Sequence, residues 1–344
     1  MKFDYIIGNP PYQDETLGDN KGFAPPIYDK FLDASFALAD SVELIHPARF
    51  LFNAGSTPKA WNVKMLNDPH FKVLFSEQDS SKIFPNTDIK GGVAITYHDN
   101  GEDFGAIETF TSYQELNSIL LRIRKEHTFC GMNSIIISSY AYHFTEKMHK
   151  DFPDAKAKLS EGHAYDLKSN VFDKLPDIFS IDKPDDGYEY IRILGRGDNE
   201  RTYKYIRRDY VNQVKNLDKY KILLAKANGA GAFGEVLSTP IIAEPAIGST
   251  ESFLSIGQFN TSSETESCLK YIKTKFARAL LGILKTTQDV TPEKWKYVPL
   301  QDFTENSDID WTKSIPEIDW QLYKKYGLDN EEIAFIESHV KEMA

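Results

Sequence analysis

Residues 3–12 of this 344-residue chain read FDYIIGNPPY, and this stretch sets the fold class of the first part of the chain. Its apolar run predicts a buried β-strand that ends at Gly8. The sequence Asn-Pro-Pro-Tyr at residues 9–12 follows this strand without a spacer. Sheets of α/β proteins place their ligands at the carboxyl ends of strands. The stretch therefore predicts a functional site at the end of a sheet strand.

The tetrapeptide has the groups needed to activate an amine attached to an aromatic ring. Such an amine is a poor nucleophile because its lone pair is delocalised into the ring. The side-chain oxygen of Asn9 and the carbonyl of Pro10 can accept its two hydrogens and free the lone pair for attack on a methyl sulfonium. Pro10 and Pro11 restrict the backbone that carries these acceptors, and Tyr12 can stack on an extruded base. The alternative is an ordinary turn, since Asn-Pro and Pro-Pro are turn formers.

The first part of the chain, residues 1–112, alternates strand and helix patterns. The order strand, helix, strand, helix, strand predicts an α/β unit with a mainly parallel sheet and a late hairpin at its edge. After the first strand, the predicted elements are a helix over 26–40, a strand over 41–48, a helix over 56–68 and strands over 71–77 and 91–99.

A second domain of α+β type is predicted over residues 113–344. It opens with a helix over 113–127 and continues through a stretch with scattered Gly, Pro and Asp to about residue 190. Strands and turns are predicted between 188 and 248. The periodicity of apolar residues then predicts one long helix over 268–285 and a final helix over 330–343.

The composition indicates a globular protein of a reducing cytoplasm. Hydrophobic residues make up 41% and charged residues 26% of the chain. Its two cysteines, Cys130 and Cys268, are too few for a disulfide framework or a metal site, and the histidines lack the spacing of zinc ligands. No apolar run approaches the roughly 20 residues of a membrane span. We therefore predict no metal and no membrane partner.

The net charge of −11 argues against a nucleic-acid partner, but the charge is unevenly distributed. Residues 190–230 contain 10 basic and 4 acidic residues, and residues 264–296 contain 7 and 4. A localised basic surface suits phosphate contacts, and tyrosines alternate with the basic residues of the first segment. The alternative is that these cations are solvated. The candidate DNA contacts are Arg192, Arg196, Arg201, Lys204, Arg207, Arg208, Lys270, Lys273, Lys275 and Arg278.

The stretch FDYIIGNPPYQ resembles the catalytic motif of gamma-class N6-adenine DNA methyltransferases, particularly those of type II (IIG-like) restriction-modification systems. The resemblance continues in order along nearly the whole chain. The further matching stretches are PIYDKFLDASF (26–36), LIHPARFL (44–51), SSKIFPNTDIKGGVAITYHD (80–99), YKILLAKANGAGAFGE (220–235), KYIKTKFARALLGILK (270–285) and DIDWTKSIPEIDWQLYKKYGLDNEEIAFIE (308–337).

This resemblance implies a partial Rossmann-like methyltransferase sheet followed by an α+β target-recognition domain. It also implies S-adenosylmethionine as methyl donor, with Asn9 as the one recognisable cofactor-binding residue, and double-stranded DNA as partner. Asn9 and Pro10 would orient the amine of a flipped adenine. Tyr12 and Phe84 would enclose its ring, although Phe84 is equally consistent with a core residue at a strand end.

The chain departs from the family order at its start. In the gamma order a glycine-rich loop for S-adenosylmethionine precedes the catalytic motif, whereas only three residues precede Asp4 here, so we expect that loop to be absent. Gly195 and Gly197 lack the third glycine of such a loop. Residues 228–234 are glycine-rich, which fits either a loop near DNA or a structural turn. Three explanations fit the expected absence of this loop: a split gene with a partner chain, a truncated remnant, or a fold reduced to a DNA-binding piece.

The sequence thus predicts a site-specific DNA adenine-N6 methyltransferase component. The alternative is a catalytically incomplete DNA-binding or specificity fragment that needs a partner chain for the cofactor. A methyltransferase for protein glutamine or RNA shares the tetrapeptide, but the long basic domain argues against it. Because an uncovered sheet edge invites pairing, we expect a partner chain or self-association there. No nuclease core is recognisable.

Overall fold

The computed structural model describes residues 3–14, 24–85, 87, 89–125, 128–197, 200–229, 231–285 and 287–343. The chain forms two compact units, Met1–Leu121 and Arg122–Ala344. The sequence places the start of a second domain at residue 113, and that boundary stays a prediction.

The first unit contains a four-stranded sheet with helices in the connections between its strands. Its helices and strands lie close to the predicted ranges, and the strand over 71–77 has the predicted bounds. The elements are β1 (Phe3–Gly8), α1 (Tyr28–Leu38), β2 (Ala39–Pro47), α2 (Lys59–Leu66), β3 (Phe71–Glu77), β4 (Val93–Asp99) and α3 (Gln114–Lys125), whose last four residues belong to the second unit.

The strand order in this sheet is β1-β2-β4-β3. β1 is parallel to β2, and β4 is antiparallel to both β2 and β3, so β1, β2 and β3 run in the same direction. Gly8 lies beside Leu44, and Val93 lies between Pro47 and Glu77. The segments that follow β1, β2 and β3 therefore leave the sheet at one edge, which we call the loop edge.

One face of this sheet is covered by the core of the unit. Leu32 of α1 is buried together with Leu44 of β2 and Ala94 of β4. On β1 only Ile6 packs against this core, whereas Phe3, Tyr5 and Ile7 are exposed, Ile7 to 72%. The prediction of a fully buried first strand is therefore wrong within the described residues, because β1 is an edge strand covered on one face only.

The second unit contains two smaller sheets and seven helices among the residues that the structure describes. Its elements are β5 (Ile136–Ile137), α4 (Glu146–Asp151), α5 (Ala155–Lys158), α6 (Val171–Lys174), β6 (Tyr190–Gly197), β7 (Glu200–Arg207), β8 (Tyr220–Ala225), β9 (Ile241–Ala243), β10 (Ile247–Ser249), β11 (Phe253–Phe259), α7 (Ser262–Lys273), α8 (Lys275–Gly282), α9 (Ile315–Lys325) and α10 (Asn330–His339).

The two sheets of this unit have the orders β10-β6-β7 and β5-β11-β8-β9. β6 is parallel to β10 and antiparallel to β7, and the second sheet is antiparallel throughout. One face of the β6–β7 pair packs on a core that includes Phe172. This face carries Ile191, Ile193 and Ile206. The opposite face of this pair carries four of the ten predicted basic residues. The fold is thus mixed α/β with several sheets.

The predicted long helix over 268–285 is two helices, α7 and α8. Thr274 separates them because its backbone leaves the helical region (φ −58°, ψ 151°). Its hydroxyl accepts a hydrogen bond from the backbone N–H of Ala277 at 3.1 Å and so caps α8. The apolar periodicity continues across this break, which is why the sequence predicted a single helix.

Three general features concern possible partners. Within the described ranges, no helix is long and apolar enough to cross a membrane. In the same part of the chain, no group of three or more His, Cys, Asp or Glu side chains could hold a metal ion. Both cysteines are free thiols, Cys130 exposed and Cys268 buried, and burial raises the pKa of Cys268.

Candidate functional site

The tetrapeptide at residues 9–12 begins at the loop edge, directly after β1. Pro10 and Pro11 have no N–H group, so they cannot donate backbone hydrogen bonds that would hold this segment. The chain is held instead by the next residues: the carbonyl of Tyr12 accepts from the N–H of Ile27 at 3.2 Å, and the N–H of Asp14 donates to Pro25 at 2.9 Å. These bonds tie the tetrapeptide to the residues that lead into α1.

Both predicted acceptors are accessible. The Asn9 side chain is exposed and Pro10 is half-buried. Among the described residues, no N–H group donates to the carbonyl of Pro10. An exposed side-chain oxygen and an accessible carbonyl one residue apart can therefore receive a donor group from outside the chain.

Tyr12 is half-buried, with its hydroxyl oxygen buried. Burial raises the pKa of Tyr12, and a hydrogen-bonding influence of the Asn9 side chain partly offsets this rise. The two groups do not reach the geometry of a full hydrogen bond. Tyr12 is therefore neutral around pH 7, and its hydroxyl contributes little to holding the ring.

The loop that joins β3 to β4 is fixed at the same edge. The N–H of Ala48, just after β2, donates to the carbonyl of Gly92 at 3.0 Å. Gly92 has φ +76°, and a Cβ built there would lie 2.1 Å from the Glu77 carbonyl oxygen. Only glycine fits at this close approach. The glycine pair in the motif IKGGV thus joins the ends of β2, β3 and β4.

Phe84 lies in this loop, half-buried, after a short 3-10 turn at Ser80–Lys82. Its N–H donates to the carbonyl of Ser80 at 2.8 Å, and its carbonyl accepts from the N–H of Thr87 at 3.2 Å. The sheet topology brings the loop of Phe84 and the tetrapeptide to one edge. The role of Phe84 as a second aromatic wall stays a prediction.

A buried polar pair supports the loop edge, and sequence reasoning missed it. His46, the second-last residue of β2, is fully buried and stacks on Tyr28 with the rings 5.9 Å apart. Its Nε2 lies 2.7 Å from the Thr96 hydroxyl and its Nδ1 3.2 Å from the Pro47 carbonyl. A carbonyl only accepts, so Nδ1 carries the proton and Nε2 accepts from Thr96. Burial lowers the pKa of His46 to about 4.

Four of the predicted DNA contacts share one face of the β6–β7 pair. Cross-strand neighbours lie on the same face of a sheet, and side chains alternate along each strand. Tyr190 faces Arg207, Arg192 faces Tyr205, and Arg196 faces Arg201. We call this set the arginine–tyrosine face. Lys204 points to the opposite face, where its amine lies 5.1 Å from the ring centre of Phe172.

Two of the predicted arginines are held by carboxylates of the chain itself. Arg207 donates to both oxygens of Asp209, at 2.6 and 3.0 Å, and lies 3.5 Å from the ring centre of Tyr188. Arg208 is bound to both carboxylate oxygens of Asp218. These paired charges are poorly placed to bind a phosphate, because a new anion would have to displace a bidentate partner.

Two other arginines of this segment, Arg192 and Arg201, are less constrained. Arg192 is 3.4 Å from Glu244, and Arg201 donates to the carbonyl of Thr239 at 2.7 Å. Arg196 and Arg201 are exposed, and Arg192 is partly exposed. Arg192 and Arg201 are therefore the part of the predicted set that can contact a partner without breaking a strong ion pair.

The cations of α7 and α8 mainly hold the C-terminal part of the chain. Lys270 donates to the carbonyls of Trp311 and Lys313 at 2.7 and 3.0 Å, and Lys275 forms an ion pair with Glu337 at 2.5 Å. Lys273 is half-buried on α7.

Arg278 is 2% exposed and donates to the carbonyls of Lys273, Glu235 and Lys341. Burial lowers its pKa to about 10. The predicted stripe of DNA contacts on this helix is therefore wrong for Arg278, because its guanidinium is inside the protein.

The glycine-rich segment 228–234 is a structural turn in its described residues. The buried amine of Lys285 donates to the carbonyls of Asn228 and Thr287 and pairs with Glu235. A Cβ at Gly231 would lie 2.6 Å from Thr287, and one at Gly234 would lie 2.3 Å from the His339 carbonyl. The glycines allow close backbone packing, which supports the structural interpretation over a loop near DNA.

Comparisons with known proteins agree with the chemistry of the loop edge. Residues 1–84 match a family described as Eco57I restriction-modification methylase. An uncharacterised adenine-specific methylase of Mycoplasma pneumoniae is 33% identical over 95 residues, which are 27% of this chain and 22% of that protein. The family match contains the tetrapeptide, Ala48 and Phe84.

Two solved structures are similar over 98% of this chain. One is the type IIG restriction endonuclease BpuSI, with a TM-score of 0.34, 11% identity and 53% of its length covered. The other is the type IIL restriction-modification enzyme MmeI in complex with DNA, with a TM-score of 0.31, 10% identity and 56% covered. The chain thus spans about half the length of these proteins, and its matched segment spans about a fifth of the curated relative.

Proposed function

We propose that this chain is the catalytic and DNA-recognising part of a site-specific DNA adenine-N6 methyltransferase of a restriction-modification system. The observation that carries the proposal is the pair of accessible acceptors, Asn9 and Pro10, at the end of a sheet strand within the segment that matches a methylase family. We infer further that this sheet is part of a Rossmann-like methyltransferase sheet. Three strands that run in one direction and deliver their loops to one edge support this inference.

The residues at the loop edge have defined parts in this reaction. The exocyclic amine of a flipped adenine donates one hydrogen bond to the Asn9 side-chain oxygen and one to the Pro10 carbonyl. With both hydrogens held, the lone pair turns away from the ring and becomes available for attack. The Tyr12 ring, kept neutral by its raised pKa, stacks on the base and positions it. Phe84 is our candidate for the opposite wall.

The donor S-adenosylmethionine would supply the electrophilic methyl group, and Asn9 is the one residue that we assign to it. The two glycine-containing segments of the second unit do not fit a donor site. A Cβ at Gly195 would lie 2.6 Å from Phe172, and the described residues of segment 228–234 are held by Lys285. Their glycines allow internal packing and leave no open cradle.

We propose that the arginine–tyrosine face contributes to DNA recognition in the second unit. Arginine forks suit both phosphates and guanine edges. Arg192, with one long ion pair to Glu244, and Arg201, with one bond to a backbone carbonyl, are our first candidates on this face. Arg207 and Arg208 are weaker candidates, because each is held in an ion pair, with Asp209 and Asp218 respectively.

The second candidate function is a DNA-binding fragment that needs a partner chain for methyl transfer. One observation favours it: Phe3, Tyr5 and Ile7 leave an apolar face of β1 exposed at a sheet edge. A partner chain or a second copy of this chain would cover such a surface.

The test is transfer of a tritiated methyl group from S-adenosylmethionine to unmethylated DNA, with the wild-type chain beside Asn9→Ala. We expect incorporation on adenine that the variant loses. Sequence-specific DNA binding without incorporation would favour the binding fragment. Incorporation that is unchanged in Asn9→Ala would contradict the assigned chemistry.

A further inference from the structure

Arg49 lies at the loop edge, two residues after the end of β2, and its stem is enclosed by glycines of two different loops. A Cβ built on Gly91 would lie 2.4 Å from Arg49 Cγ, and one built on Gly55 would lie 3.3 Å from Arg49 Cβ. Both glycines have φ values near +87°, a region that other residues rarely adopt. The two loops thus leave a channel that the Arg49 stem occupies.

The guanidinium at the end of this stem differs from those of the paired arginines. Among the residues that the structure describes, no carboxylate oxygen lies within 4.0 Å of it, whereas Arg207 and Arg208 each bind an aspartate. The residue is exposed at its outer end. A positioned stem whose charge is not neutralised by these residues is already arranged for an anion, because less side-chain freedom is lost on binding.

The surroundings of Arg49 favour an external anion over an internal one. Tyr28 is a neighbouring ionisable group: burial and the charge of Asp29 raise its pKa to about 12, against the lowering influence of the Thr57 hydrogen bond and of the Arg49 charge. Tyr28 is therefore neutral around pH 7 and does not neutralise the guanidinium.

Backbone hydrogen bonds connect the neighbours of Arg49 to the tetrapeptide and to the loop that carries Phe84. Tyr28 follows Ile27, whose N–H binds the carbonyl of Tyr12. Ala48, which precedes Arg49, is bonded to Gly92 in the loop that carries Phe84. The Arg49 guanidinium is thus held by the same loops that present the proposed base site.

We propose that Arg49 binds a backbone phosphate next to the flipped adenine and so positions the nucleotide for methylation. The inference rests on the proposed function. A flipped nucleotide stays joined to two phosphates, so one of them must lie near the mouth of the base site. The planar guanidinium fork matches phosphate oxygens in a bidentate manner, which a lysine ammonium cannot reproduce.

The test measures the affinity for a short duplex with one adenine opposite an abasic site, which lowers the cost of base extrusion. The variants are Arg49→Gln, which keeps the stem atoms between the glycines, and Arg49→Lys, which keeps the charge. The control is Lys64→Gln, which removes an exposed cation of the same unit whose partner is Asp33. Circular dichroism melting verifies that each variant is folded.

We expect Arg49→Gln to bind about tenfold more weakly and the slope of log affinity against log salt concentration to fall by about 0.9, the value of one phosphate contact. Arg49→Lys keeps the salt slope but loses affinity, and Lys64→Gln behaves like wild type. Equal salt slopes for wild type and folded Arg49→Gln overturn the inference while DNA binding itself stands.

Two further outcomes distinguish a failure of the proposed function from a failure of the phosphate contact. A wild-type chain that does not bind the duplex contradicts the proposed function itself. A loss of S-adenosylmethionine binding in Arg49→Gln, with DNA binding unchanged, assigns the guanidinium to the donor carboxylate and overturns the phosphate contact.

Discussion

The Nε2 atom of His46 on β2 and the hydroxyl of Thr96 on β4 lie 2.7 Å apart in the fully buried layer beneath the loop edge. The pair fixes the tautomer of His46, whose Nδ1 faces the Pro47 carbonyl. Because that carbonyl leads directly into Ala48 and Arg49, the hydrogen-bonded pair positions the backbone that enters the proposed site.

The first prediction concerns the pH dependence of stability. The folded chain keeps His46 neutral down to about pH 4, whereas the unfolded chain takes up this proton near pH 6.5. The contribution of neutral, buried His46 to the free energy of unfolding is therefore fully present above about pH 6.5. It is lost as the pH falls towards 4, and the whole loss is about 3 kcal/mol. Urea unfolding across this range should show a flatter pH dependence for His46→Gln. If the stability of wild type and of His46→Gln changed in parallel with pH, the prediction would be contradicted.

The second prediction concerns the glycine that closes the loop edge. Gly92→Ala should lower the free energy of unfolding by about 3 kcal/mol, since its Cβ would collide with the Glu77 carbonyl. The matched control is Gly105→Ala: its φ is +80°, but no atom lies within 4 Å of the added Cβ. It should lose only about 1 kcal/mol from backbone strain. Equal losses in denaturant unfolding would show that the close approach is unimportant.

The third prediction separates a structural arginine from one at the surface. Arg278→Met should destabilise the chain by about 3 kcal/mol because it leaves buried carbonyls without donors. We expect no change in the salt dependence of DNA binding. Arg192→Gln should do the reverse, with unchanged stability and a salt slope lower by about 0.9. A steep loss of DNA affinity in a folded Arg278 variant would restore the contact predicted from sequence.

The fourth prediction concerns the ring of Tyr12. Tyr12→Phe should keep most of the methyl transfer, since the hydroxyl makes no full hydrogen bond and the ring can still stack. Tyr12→Ala should reduce transfer by about tenfold to a hundredfold, the effect of losing one base–aromatic contact. Single-turnover methylation measures both. An inactive but folded Tyr12→Phe would mean that the hydroxyl itself takes part.

The fifth prediction concerns the exposed face of β1. If two copies of the chain associate through this face, sedimentation should show association that depends on concentration. Ile7→Lys should weaken this association. Leu74→Lys is the matched control, because Leu74 is exposed on β3 at the opposite edge of the same sheet. A wild-type chain that stays monomeric at all concentrations contradicts self-association and leaves the partner chain as the proposal.

Local signals in the sequence predicted the elements of the first unit well. The strand over 71–77 and the start of the last helix at residue 330 are confirmed. The last helix carries a capping box, in which Asp329 and Glu332 each bond the backbone N–H of the other. Such signals act over a few residues, so they can be identified without knowledge of the rest of the fold.

Tertiary packing determined the features that depend on distant partners. It made β1 an edge strand, split α7 from α8 at Thr274, and placed Arg278 inside the protein. A basic residue has the same sequence signature whether a carbonyl, an aspartate or water surrounds its charge. Only the packing distinguishes them, as the contrast between Arg278 and Arg192 illustrates.

Local sequence alone was enough to predict that residues 9–12 follow directly on a strand, because this depends on adjacent residues; their chemistry stays a prediction. It did not reveal the support of that site. His46 and Thr96 are 50 residues apart, and Arg49 meets Gly91 only because the end of β2 lies beside the start of β4. Strand pairing brings such residues together, and it depends on burial across the whole sheet rather than on any local pattern.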